Sequence, residues 1–462
     1  MSRALHRSPL LWLVAVGFLM QTLDATIVNT ALPAMATSLG VHPISMQFVV
    51  IAYSLSMALL IPASGWLADR FGTRATYGGA IVLFGGASAL CALSTSLPML
   101  VAARVLQGCG GAMLLPVGRL AVLRAFPPPQ FLAAMSFVTV PGLVGPLLGP
   151  LLGGWLVMVA SWHWIFWINV PIALIGWMAT RHYMPDTRRG DDARFDMPGY
   201  VLIAAGMVAG SIGIQGVAEL HLPAAAIALL WAFAGLSFAL YWRHAGRART
   251  PLFSQSIFAV QSFRLGLAGN LGSRLGSGGM PFLVPLVLQV SLGYSPVHSG
   301  LMMVPVAVAA MATKSWAPGL ITRLGFRTVL IVNTALVGLA VAALALVSAG
   351  QSVPALVLLM SFYGTVNSLQ FSAMNSLVLK DLAPGQTGEG NALLSMTQML
   401  AMGLGVAVTA ALLHLFAAVA PAVNGGIAPF AFRATFLCAG VLTAASALIF
   451  ARLDGRRGEC DV

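Results

Sequence analysis

Charge is what this chain has least of. Asp, Glu, Lys and Arg make up only 8% of its 462 residues, with 12 acidic residues in all, and just two of the 24 basic residues (Lys314 and Lys380) are lysine. A soluble domain carries about 25% charged residues. With 59% hydrophobic residues and a mean hydropathy of +0.90, no soluble core could bury this much apolar surface, so the composition defines a polytopic membrane protein. Cysteine is also scarce: Cys91, Cys109, Cys438 and Cys460 are scattered without a CxxC pair, which excludes a disulfide framework or a zinc site. No GxxxxGK[ST] stretch is present, so any work done on a solute must draw on an ion gradient rather than on a P-loop nucleotide site. No metal-binding or nucleophile constellation is visible; neither a cofactor nor an enzymatic activity is expected.

Glycine (49) and proline (26), by contrast, are abundant, as where membrane helices pack closely and some are broken. Hydropathy places about fourteen spans of roughly 20 residues, centred near residues 20, 56, 85, 111, 145, 174, 207, 233, 276, 309, 338, 364, 405 and 441. The net charge of +12 does not point to nucleic acid, because the arginines fall in alternate short loops. One set of loops carries Arg70 and Arg74; Arg124; Arg181, Arg188, Arg189 and Arg194; Arg243, Arg247 and Arg249; Arg323 and Arg327; Lys380; and Arg452, Arg456 and Arg457. The other set is nearly free of charge, Glu219 and Arg433 excepted. By the positive-inside rule both termini are expected in the cytoplasm. The N-terminal run, flanked by Arg3 and Arg7, is of span length and carries Asp24 and Asn29, so it reads as a retained span and not a cleaved signal.

Two longer polar segments, 181–196 and 243–255, bracket a pair of spans. The expected domains are residues 1–185, a six-helix bundle; 186–255, a central two-helix insertion with its linkers; and 256–462, a second six-helix bundle with a short tail. A weak internal repeat supports the division: GWLADRFGTR (65–74) and GLITRLGFRT (319–328) occupy matching loops. In the first, Gly65 is expected to let helix ends approach, Asp69 to cap a helix or pair with an arginine, Gly72 to supply turn freedom, and Arg70 and Arg74 to stay at the cytoplasmic surface. GPLLGPLLGG (145–154) presents Gly145, Gly149, Pro150, Gly153 and Gly154, a face cleared for close helix packing with a proline that permits a bend.

These motifs carry a resemblance. GWLADRFGTR is similar to the loop signature of the major facilitator superfamily, LVAARVLQGCGGAM (100–113) to its fourth-helix motif, and GPLLGPLLGG to its fifth-helix antiporter motif. LDATIVNTALP (23–33) and SWHWIFWINVPIAL (161–174) resemble the first helix and the entry to the sixth in its fourteen-span drug:proton antiporters. The resemblance is specific in the N-terminal half; the C-terminal half matches only by span pattern and the degenerate loop. It implies an all-α integral membrane fold of two six-helix bundles plus a central pair. It further implies a monomeric antiporter in a bacterial inner membrane, exchanging protons for small molecules by alternating access, with the lipid bilayer as its surroundings.

Asp24 is the candidate proton site. A carboxylate within a span costs about 2.5–3.5 kcal/mol on insertion scales and is usually kept for a task. Burial favours a neutral acid and a neighbouring guanidinium favours the carboxylate, so alternating exposure could load and unload a proton. Arg104, embedded in its own apolar helix, needs a partner, and Asp24 is the candidate. Gln21, Asn29, Asn270, Arg274, Gln289, Asn367 and Gln370 are the candidate substrate contacts, since amides are costly in lipid. Arg274 and Arg104 bias the apolar core positive, which motivates an alternative: export of organic anions or metal chelates such as iron-citrate.

Overall fold

The computed structural model describes residues 8–188, 195–218, 222–348, 350–383, 385–419 and 427–453. Arg3, Arg7, Arg189, Arg194, Glu219, Arg456, Arg457 and Cys460 lie outside them. Among the described residues every regular element is helical, and Cys91, Cys109 and Cys438 are free thiols. In chain order the helices are α1 (Pro9–Leu39), α2 (Gln47–Phe71), α3 (Thr73–Ala92), α4 (Leu97–Ala125), α5 (Pro128–Val159), α6 (Asn169–Tyr183, preceded by a turn at Trp164–Trp167), α7 (Met197–Ala218), α8 (Ala224–Ala245), α9 (Gln261–Ser277), α10 (Met280–Leu286), α11 (Pro296–Ala343), α12 (Val353–Lys380), α13 (Thr387–Val419) and α14 (Pro429–Ala445). Among the described residues eleven helices are long and apolar enough to cross a membrane. α6 is too short to be counted alone, α9 and α10 are separated by Gly278–Gly279 and run into a π-helical turn at Val287–Ser291, and α11 is two helices joined across Gly325.

The chain forms two compact units, residues 1–195 with 294–301 and residues 196–293 with 302–462. In the first, the small-residue face of α5 packs along α1. A Cβ on Gly145 would collide with Thr22, one on Gly149 with Thr26, and one on Gly153 with the Ile27 carbonyl and Thr30, while Gly154 abuts Pro296. The bare backbones approach closely enough for the Thr26 hydroxyl to donate to the Gly145 carbonyl at 3.2 Å. α5 continues as a helix through Pro141, Pro146 and Pro150. Threonines suit this seam because their hydroxyls return hydrogen bonds to their own helix, as Thr22 does to Phe18 and Thr26 to Thr22, so no unsatisfied polar group faces the glycines.

The second unit is tied together at its charged end by Asp196. Its carboxylate accepts from the Gly199 amide (3.0 Å), the Leu252 amide (3.0 Å) and His244 Nε2 (2.7 Å), joining the start of α7, the end of α8 and the linker beyond. Burial pushes this carboxyl up, but the amide and imidazole donors outweigh burial and hold it below the usual carboxylate range. The internal repeat is written into the backbone: Gly72 (φ 91°, ψ 152°) and Gly325 (φ 76°, ψ 155°) take the same conformation, one essentially confined to glycine. The close approach expected at Gly65 is not found. Gly65 is exposed on α2 and a Cβ there would meet nothing within 4 Å, so loop geometry rests on Gly72.

Gly149→Val should therefore destabilise the protein by about 1–3 kcal/mol through overpacking against Thr26, whereas Gly65→Ala should stay within about 0.5 kcal/mol of the parent. Thermal unfolding of the two purified variants side by side checks both; equal midpoints would contradict the seam.

Candidate functional site

Asp24 sits midway along α1, fully buried, and Arg104 on α4 is 2% exposed. Arg104 Nη1 donates to Asp24 Oδ2 at 2.7 Å. The same nitrogen reaches Gln107 Oε1 at 2.7 Å, and Arg104 Nε reaches the Val49 carbonyl of α2 at 3.3 Å. The other carboxylate oxygen, Oδ1, accepts from Gln107 Nε2 at 2.8 Å and from Asn169 Nδ2, at the start of α6, at 3.1 Å. Ser88 on α3 closes the ring: its hydroxyl accepts from Gln107 (3.2 Å) and Asn169 (3.1 Å) and donates to the Phe166 carbonyl (2.9 Å). The guanidinium is stacked 4.1 Å from the centre of the Tyr53 ring. α1, α2, α3, α4 and α6 thus converge on one carboxylate.

The local reason is spacing. Arg104 and Gln107 are three residues apart on α4 and so share a face. Asn169 opens α6 directly after the turn at Trp164–Trp167, the two joined through helical backbone at Ile168 (φ −59°, ψ −28°). A buried ion pair stands only when its remaining donors and acceptors are satisfied, and three donors on Asp24 meet most of a carboxylate's capacity of about four. The pairing also settles how Arg104 is placed: it is sealed in the interior and does not reach to a surface.

The remaining candidates fall into separate environments. In the first unit, Gln21 Oε1 and Asn29 Oδ1 are buried acceptors without a protein partner, on the same helix as Asp24. In the second, Arg274 Nε donates to Asn270 Oδ1 at 2.8 Å and the guanidinium lies 5.4 Å from the Phe371 ring centre; Asn270 Nδ2 is buried and unpartnered. Gln370 is bound into a helix-bridging network, accepting from Asn333 (2.8 Å) and donating to Thr334 (2.6 Å). Asn367 is exposed on α12, and Gln289 is half-buried in the π-helical turn. The structure joins Asp24 to Arg104 within the first unit and Arg274 to Asn270 within the second.

At the charged end of the first unit, Asp69 pairs with Arg124 at the end of α4. Arg70 stacks on Trp66, and Arg74 Nε donates to the Met184 carbonyl at 2.7 Å. Residues 184–188 of the long polar segment are docked on this loop. The Thr73 hydroxyl donates to the Pro185 carbonyl (2.6 Å), and Arg124 Nη1 donates to the Thr187 carbonyl (3.2 Å).

A bundle of apolar helices with a sealed charge pair and glycine-bearing turns repeated in its two halves is the build of a secondary transporter. The Major Facilitator Superfamily profile matches residues 14–406, and the chain belongs to that family. It is a multi-pass membrane transport protein, not an enzyme. Over 443 residues it is 46% identical to a protein of Pectobacterium atrosepticum provisionally named multidrug resistance protein MdtD, covering 96% of this chain and 95% of that one. A Salmonella paratyphi B protein of the same name is 46% identical over 446 residues, 96% of this chain and 94% of the relative. Among solved structures, a POT family transporter in complex with 5-aminolevulinic acid aligns with a TM-score of 0.70 at 15% identity over 98% of this chain and 96% of that one. The human organic anion transporter MFSD10 (TETRAN) aligns with a TM-score of 0.63 at 17% identity, over 96% and 99% of the two chains. At such identities the structures speak for the fold alone.

Removing one member of the pair leaves a buried charge alone, at about 3–5 kcal/mol. Arg104→Ala and Asp24→Ala should each lower the thermal midpoint strongly, and Asp24→Asn/Arg104→Gln should lose less than the two single neutral variants summed. A double-mutant cycle on melting checks this; strict additivity would contradict the pair.

Proposed function

We propose that the protein is a proton-coupled antiporter that exports small, multidrug-type molecules across a bacterial inner membrane by alternating access. The observation that carries this reading is the carboxylate of Asp24, dry, membrane-embedded and held by a single guanidinium. A proton on Asp24 removes the negative charge that Arg104 answers and releases the two helices that the pair joins. Substrate entering from the inside and protons entering from the outside would then compete for one sealed state. The relatives' names support the substrate class; the organic-anion alternative rests on Arg274 and Arg104, and the names do not favour it.

The helix order fits fourteen spans in a six, two, six arrangement. α6 counts with its leading turn, α9 with α10 and the π-helical turn as one broken span, and α11 as two spans divided at Gly325. The fourteen hydropathy centres all fall within these helices. The loops rich in arginine would lie in the cytoplasm with both termini. Gln21 and Asn29, with their unpaired acceptors, are the first substrate contacts to examine, and Arg274 with Asn270 the second. The Asp69–Arg124 pair and the docked segment 184–188 would brace the cytoplasmic end.

Asp24→Asn, similar in shape and neutral, should fold yet lose export driven by a pH gradient. The measurement is ethidium movement in proteoliposomes with an imposed proton gradient, set beside the melting profile of the same preparation. Parent-level, pH-driven transport by that variant would sink the assignment.

A further inference from the structure

Arg433 is an exception to the charge pattern, a basic residue at the end of the membrane domain where the loops are otherwise nearly uncharged. It lies in the second turn of α14 and is exposed, and no acid or acceptor among the described residues pairs with it. Its neighbours along the same helical stripe, Phe430, Leu437 and Val441, are 56%, 50% and 67% exposed. An apolar stripe left open on a spanning helix faces hydrocarbon, so Arg433 stands where that face meets the headgroup layer.

Beside it is a cavity of about 290 Å³ lined by Val287, Ser291, Val347, Phe432, Arg433 and Phe436 among others. That is close to the lower bound of small-ligand sites, about 300–1,000 Å³. Two of its wall residues, Phe432 and Phe436, are each 1% exposed. Ser291 closes a π-helical turn, a geometry that recurs at functional sites, and its hydroxyl oxygen is buried without a partner. An unanswered guanidinium and an apolar slot line one pocket, with the buried Ser291 hydroxyl behind its wall. All of it lies in the second compact unit.

We infer that this pocket binds an anionic phospholipid of the surrounding leaflet, its phosphate on Arg433 and the first methylenes of an acyl chain in the apolar slot. Arginine meets phosphate through parallel donors, and the positive end of α14 lies one turn away. The slot is too small for a whole lipid and suits the part of one nearest the headgroup. The chemistry is shared by a free phosphate and by a lipid, and the slot is what distinguishes them.

The test is thermal unfolding of the full-length protein in detergent with added dioleoyl phosphatidylglycerol, dioleoyl phosphatidylcholine or inorganic phosphate. Phosphatidylglycerol should raise the midpoint, and the other two should not. Arg433→Gln, an exposed position that should leave the lipid-free midpoint unchanged, should weaken the phosphatidylglycerol response about tenfold in concentration. Val347→Trp, which fills the slot and keeps the arginine, should abolish it. Three results would overturn the site: an undiminished response in Arg433→Gln, equal stabilisation of the parent by phosphatidylcholine, or full stabilisation by inorganic phosphate alone.

Discussion

A carboxylate and a guanidinium sealed in an apolar interior set the terms for the rest of this molecule. Neither charge is tolerable alone in such a place, and each makes the other tolerable only while their remaining hydrogen-bonding groups are met. That requirement recruits Gln107, Asn169, Ser88 and the Val49 carbonyl, and with them four further helices around α1. On the proposed reading the same dependence makes the site responsive: a proton on Asp24 would change what Arg104 and the helices attached to it must do.

The seam between α1 and α5 holds that carboxylate in place. Gly145, Gly149 and Gly153 give α5 no side chains where Thr22, Thr26 and Thr30 of α1 press against it, so Asp24 is carried on a helix whose position is fixed along one whole side. Helices without a hydrophobic force between them in lipid rely on such close contact. At the charged end, the Asp69–Arg124 pair and the docking of residues 184–188 on Thr73 and Arg74 connect the other end of α4 to the loop at Gly72. Arg104 and Arg124 share one helix, so the interior pair and the surface brace are mechanically continuous.

Much of this was legible in the sequence, for physical reasons that differ by residue. Asp24 and Arg104 stood out because a charge in an apolar run must be answered, and each was a candidate partner for the other, a pairing the structure shows. The glycine stripe was legible from its spacing of four, and the kinship of the loops at Gly72 and Gly325 from a repeat that the backbone angles confirm. Gln107 had a signal, three residues from Arg104, and Asn169 stood within the motif at 161–174, but its bond to Asp24 was not legible, because an amide at a helix start becomes a partner only once five helices converge. Gln370 looked like a cavity amide and turned out to bridge Asn333 and Thr334, a distinction decided by side-chain partners and not by residue type. Gly65 failed because a glycine in a turn motif looks the same whether it is crowded or open to solvent. Two polar segments were legible as linkers; that residues 184–188 are pinned to the loop at Thr73 depends on contacts across more than a hundred residues of chain.

The most direct test of the central claim is whether Asp24 itself takes up and gives up a proton. Infrared difference spectroscopy of the protein in lipid, stepping the pH across the working range, reports protonated carboxyl groups by their carbonyl stretch. A band that appears on acidification and is missing in Asp24→Asn is the result this account predicts. An identical band in the parent and in Asp24→Asn would contradict it and place the coupling proton elsewhere.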